Sequence, residues 1–225
     1  MMFAYEYLKD TVEFNDDVIP VLIIENKKTF RQTLRSFYDD TIEEYFVFSQ
    51  DFKPFDFDKR GFFISNVLDL NFQNKKLTTK INSVMQQTAI NEYSSELSVI
   101  QMQLINLFDK LNQDYDFEYD TDFEIDFSSI IKLLPFNIDT ATCDLSQLLI
   151  SYILLLNKYL KFDLVVLHSI YDYFDYDEIE KIYNTLKPYH INILVITSSK
   201  PEHFSEFEEL YIIDSDLCVI DTFEN

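Results

Sequence analysis

Glycine is nearly absent: one residue, Gly61, in a chain of 225. A phosphate-binding loop needs glycines, because its backbone must take positive φ and come close to phosphate oxygens. The chain has neither G-x-x-x-x-G-K-S/T nor G-x-G-x-x-G. That excludes the usual binding of ATP or a dinucleotide, so no nucleotide cofactor is expected. Cysteine is scarce too. Cys143 and Cys218 do not make a disulfide framework and follow no signal-peptide pattern, so a reducing cytoplasm is the expected compartment. The three histidines, His168, His190 and His203, are scattered, with no zinc-ligand spacing. The longest apolar helical run, Leu148–Leu156, is too short to span a bilayer, so no membrane partner is expected.

Positive charge is the next shortage. Eighteen basic residues face forty acids, a net charge of −22, which favours solubility and opposes casual nucleic-acid binding. The balance is uneven. Residues 27–80 hold ten basic side chains (Lys27, Lys28, Arg31, Arg35, Lys53, Lys59, Arg60, Lys75, Lys76 and Lys80) against eight acids. That segment is +2 and the rest is −24. Taken alone, this reads as clustering on a solvated face.

What is present is organised around residues 161–199. Leu164–Leu167 is a short apolar, β-branched run that suits a buried strand. Asp175 and Glu178 have capping-box spacing, so a helix starts there. Ile179, Ile182, Tyr183 and Leu186 recur at helical spacing, and Pro188 stops the helix. Ile191–Ile196 is a second buried strand. Together they predict a βαβ unit with parallel strands. Ligand-facing residues in such sheets lie past the strands' carboxyl ends, which places His168, Ser169, Thr197, Ser198 and Ser199 there.

Around this unit, residues 3–14 read as an antiparallel edge strand and Val18–Ile24 as a buried strand ending at Glu25. A helix follows, capped by Asn26, with Phe30, Leu34, Phe37 and Tyr38 on one face. Tyr45–Phe48 is a further strand. Residues 49–60 read as irregular, broken at Pro54, and 62–70 fits a strand or a helix. Lys75 to Leu111 reads as one long helix or two in sequence. Leu97, Ile100, Leu104, Leu107 and Leu111 have the spacing of a helix-pair seam. At 1.5 Å per residue the segment reaches roughly 50 Å, more than is needed to cover a sheet, so it is expected to form an inserted helical arm. Ser128–Leu134 reads as a short helix. Asp144 and Gln147 open another to Leu160, burying Leu148, Leu149, Tyr152, Ile153, Leu156 and Tyr159. Pro201 opens a short helix to Glu206, and Leu210–Ile213 with Leu217–Ile220 forms a terminal antiparallel pair.

Between arm and sheet, acids occupy every second position: Asp114, Asp116, Glu118, Asp120, Asp122, Glu124 and Asp126. In an extended chain they line one face, with aromatics on the other. Such a row is either a solvated edge or a site for a hard cation such as Ca²⁺, which takes six to eight oxygen ligands. The strand tops Glu25, His168, Asp172 and Ser198 form no nucleophile elbow or metal spacing, so an enzyme is not expected.

Leu164–His168 resembles the second-carboxylate strand of an ATPase that has lost its phosphate loop. Three stretches carry a closer likeness: VLIIENKKTFRQTLRSFYDD at 21–40, LVVLHSIYDYFDYDEIEKIYNTLK at 164–187, and ILVITSSKPEHF with LYIIDSDLCVID within 193–221. With the helical arm between them, the chain resembles the CRISPR-associated adaptation protein of type II-A systems (the Csn family). The resemblance implies an α/β fold whose mostly parallel sheet is like a degraded P-loop ATPase head. An α-helical leg is inserted in it, with the head over 1–72 and 128–225 and the leg with its acidic segment over 73–127. It implies a calcium-stabilised homotetrameric ring around double-stranded DNA, threaded from free ends. It implies a non-catalytic role in spacer acquisition beside the spacer integrase and the RNA-guided nuclease. Lys53, Lys59 and Arg60 stand where the family has basic residues after its second strand. Lys75, Lys76 and Lys80 stand on the first leg helix. Phe117–Asp120 stands in place of the family's I-E-Y-D run, which makes Glu118, Asp120 and Asp122 the calcium candidates. Binding is expected to be weak, steeply salt-dependent and free of base readout. The alternatives are a protein-binding scaffold of the adaptation complex without DNA affinity, and a metal-dependent nuclease using the acid row.

Overall fold

The computed structural model describes residues 1–15, 17–39, 41–115 and 143–220. The chain divides into two compact units, Met1–Asn71 with Asp139–Asn225, and Phe72–Ile138.

The first unit is mixed α/β. Its strands are β1 Met2–Tyr5, β2 Val12–Glu13, β3 Ile19–Ile24, β4 Phe46–Gln50, β5 Lys53–Pro54, β6 Gly61–Ile64, β7 Leu164–His168, β8 Asn192–Thr197, β9 Glu208–Ile213 and β10 Val219–Ile220. Six of these make one sheet in the order β10-β9-β3-β8-β7-β6. All its pairings are parallel except β9 with β10. The central strands are apolar and buried over most of their length, with polar residues only at the ends of β7 and β8, as a sheet covered on both faces requires. The expected βαβ unit is present, β7 and β8 being joined by the helix Tyr176–Leu186. The terminal antiparallel pair is present too, turned by Asp214, whose Oδ1 accepts from the amides of Asp216 and Cys218.

A second sheet, antiparallel and in the order β2-β1-β4-β5, was not anticipated. Residues 3–14 are not one edge strand. The chain reverses after Tyr5, whose carbonyl takes the Leu8 amide at 2.9 Å, and β1 lies inside the small sheet between β2 and β4. Residues 49–60 are not irregular either. Asp51 and Phe52 take φ of 51° and 60°, which closes a two-residue hairpin from β4 into β5. Pro54 sits on the edge strand, where its missing N–H costs no ladder bond. The undecided stretch 62–70 supplies β6. The two sheets share one core: Phe3, Tyr5, Phe46, Phe48 and Phe55 meet Leu22, Ile24, Leu164, Val166 and Ile196.

Helices complete the unit: α1 Lys27–Ser36, α2 Phe57–Arg60, α5 Leu145–Leu155 and α6 Tyr176–Leu186. Asn26, Asp144 and Asp175 cap three of them as expected, Asp175 within a full capping box with Glu178. α1 departs from the pattern expected of it. Its fully buried residues are Thr29, Thr33 and Ser36; Phe30, Leu34 and Phe37 are half-buried, and Tyr38 is exposed. Small side chains let the helix approach closely, and the polar atoms are satisfied: Thr33 Oγ1 lies 2.6 Å from the Tyr5 hydroxyl, and Ser36 Oγ donates to the Thr33 carbonyl. α5 runs into a π-turn at Leu156–Leu160 that ends at left-handed Lys161, and Leu148 and Tyr159 are only half-buried. The stretch after Pro201 is not a helix. Its backbone is held instead by Glu208, whose carboxylate accepts the Ser205 amide at 2.8 Å.

The second unit holds α3 Lys75–Glu92 and α4 Ser94–Tyr115, so the long arm segment is two helices, parted at Tyr93. On the expected seam, Leu97 and Leu104 are half-buried while Ile100, Leu107 and Leu111 are exposed. The expected helix at Ser128–Leu134 lies outside the described residues. No helix among the described residues is long and apolar enough to cross a membrane.

Candidate nucleic-acid interface

α1 carries Lys27, Lys28, Arg31 and Arg35 and no acid. At about 100° per residue these four span roughly 100° of the helix circumference, and the buried Thr29–Thr33–Ser36 stripe lies opposite. All four are exposed. Arg35 leans on Asp39 at 2.5 Å, one turn on. The other three have no acidic partner among the described residues. A continuous basic face in a chain of net −22 needs a reason, because unpaired cations one turn apart repel each other.

The amino end of α1 follows β3 after only Glu25 and Asn26. Asn26 Oδ1 accepts from the Lys28 and Thr29 amides at 3.1 Å each, and its Nδ2 donates to the Ser215 carbonyl at 2.8 Å. The chain's own side chain therefore occupies the donors that a phosphate would use in a nucleotide-binding loop. The neighbouring strand ends are tied together as well. His168 Nδ1 lies 2.8 Å from the Ser65 carbonyl and so carries the proton it donates, and its ring packs beside Phe30. Ser169, at φ 48°, gives its amide to the Ile196 carbonyl. Ser169 and Thr197 are buried, whereas Ser198 and Ser199 are exposed.

The sequence-derived candidates fall into two groups, one in each unit. In the first unit, Arg60 ends α2 and is fully engaged. It pairs with Asp163, gives its NH2 to Gln50 Oε1 at 2.7 Å, and stands 5.0 Å over the Phe55 ring. Lys59 pairs with Asp56 at 2.5 Å. That bond holds the Asp56 carboxyl below its usual range and lifts the lysine. Lys53, on β5, is exposed and has no ion pair among the described residues. In the second unit, Lys75, Lys76 and Lys80 are exposed on the first turns of α3. Asn74 caps that helix through the Lys76 and Leu77 amides, and its first turn holds no acid. Two lysines at the positive end of an 18-residue helix oppose the helix dipole. Lysines and helix dipole together make this end locally positive, the kind of place that suits an anion.

The sequence reading counted the α1 cations in a basic segment without singling them out as site residues. The signal was there: four cations and no acid at helical spacing directly after a capping asparagine.

The calcium candidates Glu118, Asp120 and Asp122, like most of the acid row, lie outside the described residues. Among the described residues no group of three or more His, Cys, Asp or Glu side chains is placed to hold an ion. One buried carboxylate stands apart. Glu208 accepts from the Tyr171 hydroxyl at 2.6 Å and the Tyr183 hydroxyl at 2.7 Å. Burial first, and then the neighbouring charge, push both phenols far above their ordinary range. With its second oxygen on the Ser205 amide, Glu208 is a structural knot rather than an open site.

Comparison with known proteins gives one family. A model described as CRISPR-associated protein (Cas_Csn2) matches residues 37–217. No curated protein matches the chain.

Proposed function

The chain belongs to the Cas_Csn2 family of CRISPR-associated proteins, and we propose that within that adaptation role it binds double-stranded DNA from its ends, as a ring of four copies and without catalysis. The observation that carries the reading is the exposed, acid-free face of α1. It is supported by Lys53 and by the lysine-rich first turns of α3. These side chains contact the phosphate backbone and read no bases. The ring form is what the family resemblance implies. Four copies multiply a local positive face that is small against a net charge of −22. Calcium enters through the alternating acids Asp114 to Asp126, where a divalent ion offsets like charges. The Glu118, Asp120 and Asp122 carboxylates are its proposed ligands. The spacer integrase and the RNA-guided nuclease are the proposed protein partners, in the cytoplasm.

A second reading has an observation in its favour. Lys59 and Arg60 are already paired within the chain, which fits a scaffold that holds proteins together without DNA affinity.

The experiment is retention of linear and covalently closed circular DNA of one sequence, at low salt, with Ca²⁺ or with chelator. Retention of the linear form alone, lost on chelation and in a Lys27→Glu/Lys28→Glu/Arg31→Glu variant, is expected. Equal retention of both forms would place binding on an outer surface and sink the ring mechanism. No retention of either would leave the scaffold.

A further inference from the structure

We propose that the groove between the β4–β5 hairpin and α2 is a docking site for a protein partner that inserts cationic, arginine- or lysine-bearing side chains. The groove encloses about 300 Å³, near the lower limit for pockets that seat a small ligand, and so has room for one or two side chains. Its floor is aromatic. Phe48 stacks on Phe57 at 5.7 Å and meets Phe55 edge-on at 6.3 Å. Its rim is acidic. Glu43 and Asp58 line it, exposed, and neither carboxylate accepts a hydrogen bond or forms an ion pair among the described residues.

Aromatic faces beside unpaired carboxylates suit a guanidinium or ammonium group, which gains from the ring quadrupole and from the charge together. The chain shows this on its own side chains: Arg60 stands 5.0 Å over the Phe55 ring. The Glu43 and Asp58 carboxylates repel phosphate, so the groove itself takes a protein segment rather than DNA; Lys53 of β5 does not line it. The proposal stands whether or not α1 binds DNA.

The hairpin adds an apolar anchor. Phe52 is 98% exposed at the tip, with φ of 60°, an unusual conformation for a bulky residue. Arg60, through Gln50 Oε1 and Phe55, braces the strands beneath it. An exposed aromatic on a braced support, on the same hairpin that walls the groove, is the kind of anchor an interface hot spot uses.

The test uses the full chain and a fluorescein-labelled, capped hexapeptide that alternates arginine with leucine, read by fluorescence anisotropy at physiological salt. A matched peptide with citrulline in place of arginine controls for charge. The double variant Glu43→Lys/Asp58→Lys is expected to weaken arginine-peptide binding at least tenfold. Glu202→Lys/Glu206→Lys, which makes the same change in net charge elsewhere, is expected to stay within twofold of wild type, and the citrulline peptide is expected not to bind. Phe52→Gly is expected to weaken binding while raising the melting temperature, because glycine relieves the positive φ, so that loss could not be a folding defect. Equal weakening by both double variants would reduce the effect to general attraction by an acidic chain and overturn the proposal. Failure of wild type to bind would overturn it as well. So would a change in sedimenting mass of the groove variant with unaltered peptide affinity, which would make the groove a contact between copies of the chain.

Discussion

Thr33 shows what one buried hydroxyl does for this fold. It lies fully buried in α1 and pairs with the buried Tyr5 hydroxyl of the small sheet at 2.6 Å. Thr33→Val keeps the shape and leaves the phenol unsatisfied, which costs about 1–3 kcal/mol. Adding Tyr5→Phe removes the orphan, so the double variant is expected to recover most of the loss in denaturant unfolding. Asp144 gives a pH signature. Its carboxylate takes the Gln147 amide, then the Ser146 hydroxyl, with Lys181 of α6 reaching it at 3.1 Å. These partners hold its pKa at about 2. A folded-state value below the ordinary one means that its contribution is complete above the ordinary carboxylate range and is lost as pH falls. The melting-temperature gap between wild type and Asp144→Ala is expected to be constant above about pH 5 and to close progressively as pH falls through about 2.

Among the elements, α3 separates function from stability. Lys75 and Lys76 oppose the helix dipole, so Lys75→Glu/Lys76→Glu is expected to strengthen the helix by about 0.3–1 kcal/mol per site. If these lysines hold phosphate, the same variant loses DNA retention. Affinity and melting temperature would then move in opposite directions, which simple damage to the fold cannot produce. The elements legible in the sequence were those whose causes are local. The caps at Asn26, Asp144 and Asp175 each rest on one side chain and amides two or three residues away. The β7–α6–β8 unit joins neighbours in sequence. The small sheet was not legible, because Met2–Tyr5 takes Phe46–Ser49 as its partner and no local pattern encodes that distant choice. The buried face of α1 was missed for a related reason: a hydrophobic pattern finds Phe30 and Leu34 but not a Thr–Thr–Ser stripe that fits closely and pairs with Tyr5. The basic face of α1 could be read from the sequence as charge, but only the packing of its opposite side shows that it faces outward.

At the scale of the whole molecule, a net charge of −22 makes self-repulsion a standing cost of compactness. Added salt screens that repulsion and competes with lysine–phosphate contacts. From low to moderate salt, thermal stability is expected to rise while DNA retention falls, with a log–log slope of about −0.9 per phosphate neutralised. A stability that falls with salt would mean that favourable ion pairs outweigh the repulsion.

The place of β3 in the sheet bears on how the protein is made. Val21 lies between Val195 and Leu210, so both of its neighbours leave the ribosome long after it does. Until then an apolar strand has two open edges, a template for pairing with other chains. The α/β unit therefore closes late in synthesis, and a nascent chain halted before β8 would carry its most aggregation-prone strand unprotected.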